Sequence, residues 1–176
     1  MISRSLLLVG TGLLSLVATA CSYTPAADPA SVLSANSVTR TVDLYLTAGY
    51  NSNNMWNNYD GYAHGKMIVT VPLGYRVRLH FTNDGGIPYS VGIYDANQRV
   101  AFKGAGNSIA DYDFNPTLGI VPGDSATYSF TASQIGTFYI ANYLYRFPSH
   151  QPTNVALGMW DTLRIVPSGN PNVSVM

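Results

Sequence analysis

The sequence predicts an all-β chain, a β-sandwich of seven or eight short strands, and three observations carry that prediction. The stretch "RVRLHFTN" sets Val77, Leu79 and Phe81 against Arg76, Arg78, His80 and Thr82, the period of two that marks a half-buried strand. Further apolar stretches of strand length, "KMIVTVP", "SVGIYD", "ATYSFTA", "TFYIA" and "DTLRIVP", are interleaved with the turn-forming "PLG", "NDGG" and "VPGD",. Beyond the N-terminal segment no stretch of useful length carries the apolar period of an amphipathic helix,. Short strands joined by Gly/Pro turns pack as a sandwich.

Residues 1–20 stand apart from this pattern. Arg4 precedes an apolar run from Leu6 to Val17, too short for a membrane span of ~20 residues and of the right length for an export signal. The run ends in Ala18-Thr19-Ala20-Cys21. Small residues before a Cys resemble the bacterial lipobox, in which the Cys is lipidated and becomes the new N-terminus; a plain secretory signal cut near Ala20 is the alternative. Both place the domain outside the cytoplasm, the first as a lipoprotein held to the membrane through Cys21. Residues 21–37, "CSYTPAADPASVLSANS", are rich in Ala, Ser and Pro and read as a flexible tether,. The domain is expected over 38–167, opening with "VTRTVDLYL", in which Val38, Val42, Leu44 and Leu46 share a face. "YNSNNMWNNYDGYAHG" is an Asn- and aromatic-rich loop, and the tail 168–176 reads as loose.

Composition narrows the function. Lys plus Arg is 9 and Asp plus Glu is 9 in 176 residues, so no basic field exists to attract nucleic acid. Charged residues make up 10%, against roughly 25% in an average soluble domain. Every acidic side chain is Asp. A chain with so few carboxylates has little to lose on acidification, which unfolds proteins mainly through carboxylates that are ionised in the native state. Cys21 is the sole cysteine, so no intramolecular disulfide forms. No nucleophile elbow or metalloprotease helix motif is present. Asp111 and Asp113 in "ADYDFN" are the nearest carboxylate pair and read as turn residues. The expectation is a non-enzyme.

The motifs, taken in order, resemble one family. "WNNYDGYAHGKMIVTVPLGYRVRLHFTN" is similar to the Asn/Gly/aromatic segment and following strands of sulfocyanins. These are electron carriers with a type 1 copper, found outside the membrane of acidophilic archaea and their relatives. "GIPYSVGIY", "GTFYIAN" and "GMWDTLRIV" fall where that family carries a Pro-His segment, a strand ending in Ala-Cys, and Gly-Met-Trp-Asp. The resemblance spans roughly Asp43 to Val166 and implies a cupredoxin-like Greek-key sandwich. It also implies the copper positions: Tyr89 stands for the first His, Asn142 for the Cys, and Met159 for the axial Met, with His150 in "PSH" offered for the second His after a longer loop.

A type 1 site needs two imidazoles, a thiolate and a weak thioether. With Tyr and Asn replacing His and Cys, and no thiol outside Cys21, the residues imply no blue copper and no resident cofactor. Tyr89 and Asn142 are expected to hydrogen-bond across the vacated site, with Met159 as core packing. The alternative is copper at a non-blue site of His150 and Met159, joined by Tyr89 or His64. His80 lies on a polar strand face and reads as solvated. The loop aromatics Tyr143, Tyr145 and Phe147 form the candidate interaction surface, and with Trp56, Tyr59 and Tyr62 they make either an exposed aromatic patch or a packed cover over the closed metal pocket. The implied partners are the membrane, through Cys21, and a redox or envelope protein.

Overall fold

A computed structural model of the chain describes residues 24–106, 119–144 and 154–176. The export segment, Cys21, Asp111, Asp113, Tyr145, Phe147 and His150 lie outside the described residues. The architecture is two facing mixed sheets. After a single helical turn, α1 (Pro29–Val32), come β1 (Leu33–Asn36), β2 (Thr41–Ala48), β3 (Met67–Pro72), β4 (Arg76–Asn83), β5 (Gly92–Tyr94), β6 (Ser125–Thr131), β7 (Gly136–Ala141), β8 (Trp160–Val166) and β9 (Asn172–Val175). One sheet has the order β1-β2-β4-β6 and the other β5-β7-β8-β3-β9.

The alternation read in "RVRLHFTN" is realised in β4, where Val77, Leu79 and Phe81 are buried. β2 buries Val42, Leu44 and Leu46 from the same side. The two strands run parallel in a register that pairs Val42 with Val77 and Leu44 with Leu79, so their apolar side chains share one sheet face. Val69, Val71, Phe138, Ile140, Leu163 and Ile165 of the second sheet complete the core.

Nine strands are described rather than seven or eight. Strands β2 to β8 are seven, and the two extra strands come from the stretches expected to be tether and tail. β1 pairs antiparallel with β2, and α1 sends Val32, 2% exposed, into the core; Asp28 caps that turn by accepting from the Ala30 N–H at 2.9 Å. β9 pairs antiparallel with β3. Both are edge strands with few apolar residues, so their order comes from the neighbour's unpaired backbone groups rather than from their own composition. The start of the first expected strand also moves. Val38 lies in a turn and is 93% exposed, and β2 begins at Thr41. Among the described residues no helix is long and apolar enough to cross a membrane.

Candidate functional site

Three of the four positions expected for copper ligands are described, and all are buried: Tyr89 is 1% exposed, and Asn142 and Met159 are 0% exposed. Asn83, at the end of β4, holds the loop that leads to Tyr89. Its Nδ2 donates to the carbonyls of Ile87 and Ile120 at 2.9 and 2.7 Å, and its Oδ1 accepts from Gly85 N at 2.9 Å. Tyr89 and Ile120 exchange backbone hydrogen bonds at 3.1 and 2.8 Å. The Tyr89 ring lies against Gly85 of this loop. A Cβ on Gly85 would lie 2.3 Å from that ring, so only glycine fits there. The phenol donates to the Trp56 carbonyl at 2.9 Å.

Asn142 follows β7, and its amide is engaged on both sides. Oδ1 accepts from Ser90 Oγ at 2.9 Å and from Leu144 N at 3.0 Å. Nδ2 donates to Met159 Sδ at 3.2 Å, a weak acceptor. Its backbone accepts from Val155 N at 2.9 Å. The turn that follows is closed on Asn154, whose carbonyl takes Met159 N at 3.0 Å and delivers Met159 into the core. Below, Tyr59 donates its hydroxyl to the Ser90 carbonyl at 2.7 Å.

The expected Tyr89–Asn142 hydrogen bond is therefore corrected: the hydroxyl that reaches Asn142 belongs to Ser90, while that of Tyr89 goes to Trp56. Adjacent residues of an extended chain point opposite ways. Alternation at "PYS" was the one local signal that could have singled out Ser90.

The Asn-rich loop roofs this cluster. Asn54, Met55 and Trp56 all have positive φ, 48°, 52° and 66°, a left-handed turn that costs L-residues about 1–2 kcal/mol each. Side-chain amides hold it. Asn54 Nδ2 donates to the carbonyls of Asn57 and Leu157 at 2.7 and 2.8 Å, and Asn58 Nδ2 to those of Asn51 and Asn53 at 2.9 and 2.7 Å. Met55 and Trp56 are consequently exposed, at 71% and 50%. Tyr59 and Tyr62 are buried, which for these two selects packing over an exposed patch. Tyr143 is half-buried, edge-on to Tyr94 with ring centroids 4.5 Å apart.

His64 lies beside the site. Its N–H donates to the Gly158 carbonyl at 2.8 Å, its Nε2 is 3.2 Å from Asn54 Oδ1, and its ring fills the space a Cβ on Gly158 would take. His80 lies on the outer face of the four-stranded sheet, away from the site. It is more engaged than the sequence suggests: stacked on Tyr45 at 4.8 Å, it meets Asp43 Oδ1 at 2.8 Å and Thr127 Oγ1 at 3.2 Å. The Arg78 guanidinium and His80 beside Asp43 hold that carboxyl below its ordinary value.

Two buried carboxylates also escaped the sequence reading. Asp161 Oδ1 accepts from Met67 N at 2.9 Å and Asp60 Oδ1 from Thr47 N at 3.1 Å, while neither Oδ2 has a hydrogen-bond partner among the described residues. Burial, reinforced by the Asp60 charge for Asp161 and by the Asp84 charge for Asp60, pushes Asp161 up to about 8 and Asp60 up to about 7. Among the described residues no three His, Cys, Asp or Glu side chains gather as a metal site would require.

A two-sheet β-sandwich whose loop cluster joins the start of β5 to the β7–β8 connection defines the class: a cupredoxin fold. The sulfocyanin (SoxE) domain matches residues 28–170, and the chain belongs to that family. Among solved structures, auracyanin from Roseiflexus castenholzii is 21% identical, covering 76% of this chain and 100% of its own, with a TM-score of 0.45. A blue copper oxidase from Nitrosomonas europaea is 23% identical over 64% of this chain and 32% of its own, TM-score 0.46. A multicopper oxidase from Campylobacter jejuni is 14% identical over 82% and 29%, TM-score 0.49. The chain thus spans about a third of the length of these oxidases. No curated protein matches the sequence.

Proposed function

We propose that this chain is an extracytoplasmic, lipid-anchored sulfocyanin-family cupredoxin in which a hydrogen-bonded amide cluster has taken the place of type 1 copper, leaving a binding or structural module. The observation that carries this reading is Asn142. At the thiolate position it presents a carboxamide whose oxygen already accepts two hydrogen bonds and whose N–H is directed at the Met159 sulfur. The phenol of Tyr89, at a His position, is spent as a donor to a backbone carbonyl. Both described side chains that would replace ligands satisfy protein groups instead, and the only thiol in the chain is Cys21. This donor set does not fit a type 1 centre.

In this reading the surface for a redox or envelope partner is Tyr143 with Tyr145 and Phe147, and Cys21 carries the lipid. The test is to add Cu(II) to the purified protein and record the visible spectrum. The expected result is no intense thiolate-to-copper band; its appearance would overturn the reading. For the anchor, Cys21→Ser is expected to move the protein from the membrane to the soluble fraction.

Membership of a copper family supports a second reading, a non-blue copper site using His150 and Met159. Calorimetry separates the two. Tight copper binding lost in His150→Ala favours the second reading, and absence of binding favours the first.

A further inference from the structure

Arg76 opens β4, at the end of the strand opposite Asn83 and the Tyr89 loop. There it borders a cavity of about 240 Å³ lined by Arg76, Lys103, Ser129, Phe130, Thr131 and Ser133. Five of these six side chains are hydrogen-bond donors, two of them cationic, and no carboxylate is among them. In a chain with only 9 Lys and Arg, two converging on one cleft is a concentration of positive charge. Neither Arg76 nor Lys103 forms an ion pair with a described residue; the described salt bridges involve Asp43 with Arg78 and His80.

The cleft is held in shape by its surroundings. The Arg76 guanidinium donates to Ser129 Oγ at 3.2 Å, which orients the guanidinium and leaves the Ser129 hydroxyl proton available to a guest. Lys103 is set by its two neighbours. Phe102 stacks on Phe130 with centroids 5.2 Å apart and an interplanar angle of 9°. Gly104, at φ 88°, lies so close to β6 that a Cβ there would be 2.5 Å from the Ser129 carbonyl oxygen. The loop therefore lies flat against β6 and keeps Lys103 at the cleft.

A guest matching this lining must be rich in acceptors and anionic, since Arg and Lys offer only donors and charge-assisted hydrogen bonds to phosphate-type oxygens are the strong ones. We propose that this cleft binds a tetrahedral oxyanion, phosphate or sulfate, either free or as a lipid headgroup. It is a site separate from the copper positions and independent of whether they hold metal.

The experiment is a titration of the purified chain with sodium phosphate and sodium sulfate at constant ionic strength set by chloride, followed by amide chemical shifts. Saturable shifts confined to Lys103, Ser129, Thr131 and Ser133 are expected. They should weaken about tenfold in Arg76→Gln and in Lys103→Gln, the loss of one charged hydrogen-bond donor. Lys103 is exposed, so its variant keeps the test valid if Arg76→Gln unfolds. Linear shifts, shifts that chloride reproduces, or shifts unchanged in Lys103→Gln would mean an adventitious ion only and overturn the proposal. Co-sedimentation with phosphatidylglycerol against phosphatidylcholine vesicles separates the sources. Retention on the first that is lost in Lys103→Gln assigns a lipid headgroup, and saturable phosphate binding without retention assigns the free ion.

Discussion

Asn142 occupies a position where the sulfocyanin resemblance expects a thiolate, and its amide is engaged at both ends: two acceptor bonds at Oδ1, one donor bond from Nδ2, and full burial. Removing it strands the Leu144 N–H and the Ser90 hydroxyl in a dry site. Unpaired buried groups cost ~1–3 kcal/mol each, so Asn142→Ala is expected to lower stability by about 2–4 kcal/mol in urea unfolding. Ser90→Ala should cost about 1 kcal/mol. A double-mutant cycle of the two should return a coupling of about 0.5–3 kcal/mol, as contacting residues show; additivity would break the proposed pairing. Gly158 is a residue-scale constraint of another kind. At φ 92° with the His64 ring 2.1 Å from a built Cβ, Gly158→Ala combines backbone strain with a displaced ring. Its expected cost is about 1–3 kcal/mol, read as a fall in the melting temperature.

At the scale of elements, the left-handed turn at Asn54–Trp56 and the edge strand β1 make opposite predictions. Met55 is exposed and contributes little burial, yet it sits at φ 52° and ψ 45°. Glycine adopts that conformation without the steric cost, so Met55→Gly is expected to stabilise by up to about 1 kcal/mol, less what the freer unfolded chain takes back. A destabilised variant would show that the Met55 side chain holds the loop. β1 and α1 belong to the sandwich through Val32. Shortening that side chain should cost about 1–3 kcal/mol by loss of burial and a residual cavity. Slow exchange of the Leu33 to Asn36 amides would show the same stretch to be structure; exchange at coil rates would mark it as the tether its composition suggests.

For the whole molecule, pH is the informative variable. Asp60 and Asp161 bind protons more tightly folded than unfolded, at about 7 and about 8 against an ordinary value of 3.8. Between those limits the native state holds more protons than the unfolded one. Stability is then full below about pH 4 and declines as pH rises through 7 and 8, by up to about 1.4 kcal/mol per pH unit for each group. Asp43 works the other way. Its folded value is lowered by Arg78 and His80, so its contribution is present above pH 4 and lost below. The sum predicts greatest stability in mild acid, with Asp161→Asn flattening the slope between pH 5 and pH 8. Urea midpoints across that range for both proteins check it. A midpoint that rises from pH 5 to pH 8 would contradict the buried, unpartnered state of the two carboxylates.

Much of this was legible in the chain because strand patterning is local. Val77, Leu79 and Phe81 alternate with polar residues whatever lies across from them, and the order of "GIPYSVGIY", "GTFYIAN" and "GMWDTLRIV" carried the sulfocyanin resemblance. The expectation that Asn142 and Tyr89 stand at ligand positions came from that resemblance. Tertiary structure alone decided three things. It turned "LSAN" and "NVSV" into edge strands, because pairing is supplied by the free hydrogen-bonding groups of β2 and β3 and not by the segment's own side chains. It chose Ser90 over Tyr89 as the partner of Asn142, because residues 52 apart in sequence meet only once β5 has paired with β7 in the five-stranded sheet. And it buried Asp60 and Asp161, because the solvent a carboxylate loses is set by everything that packs around it rather than by its neighbours in the chain.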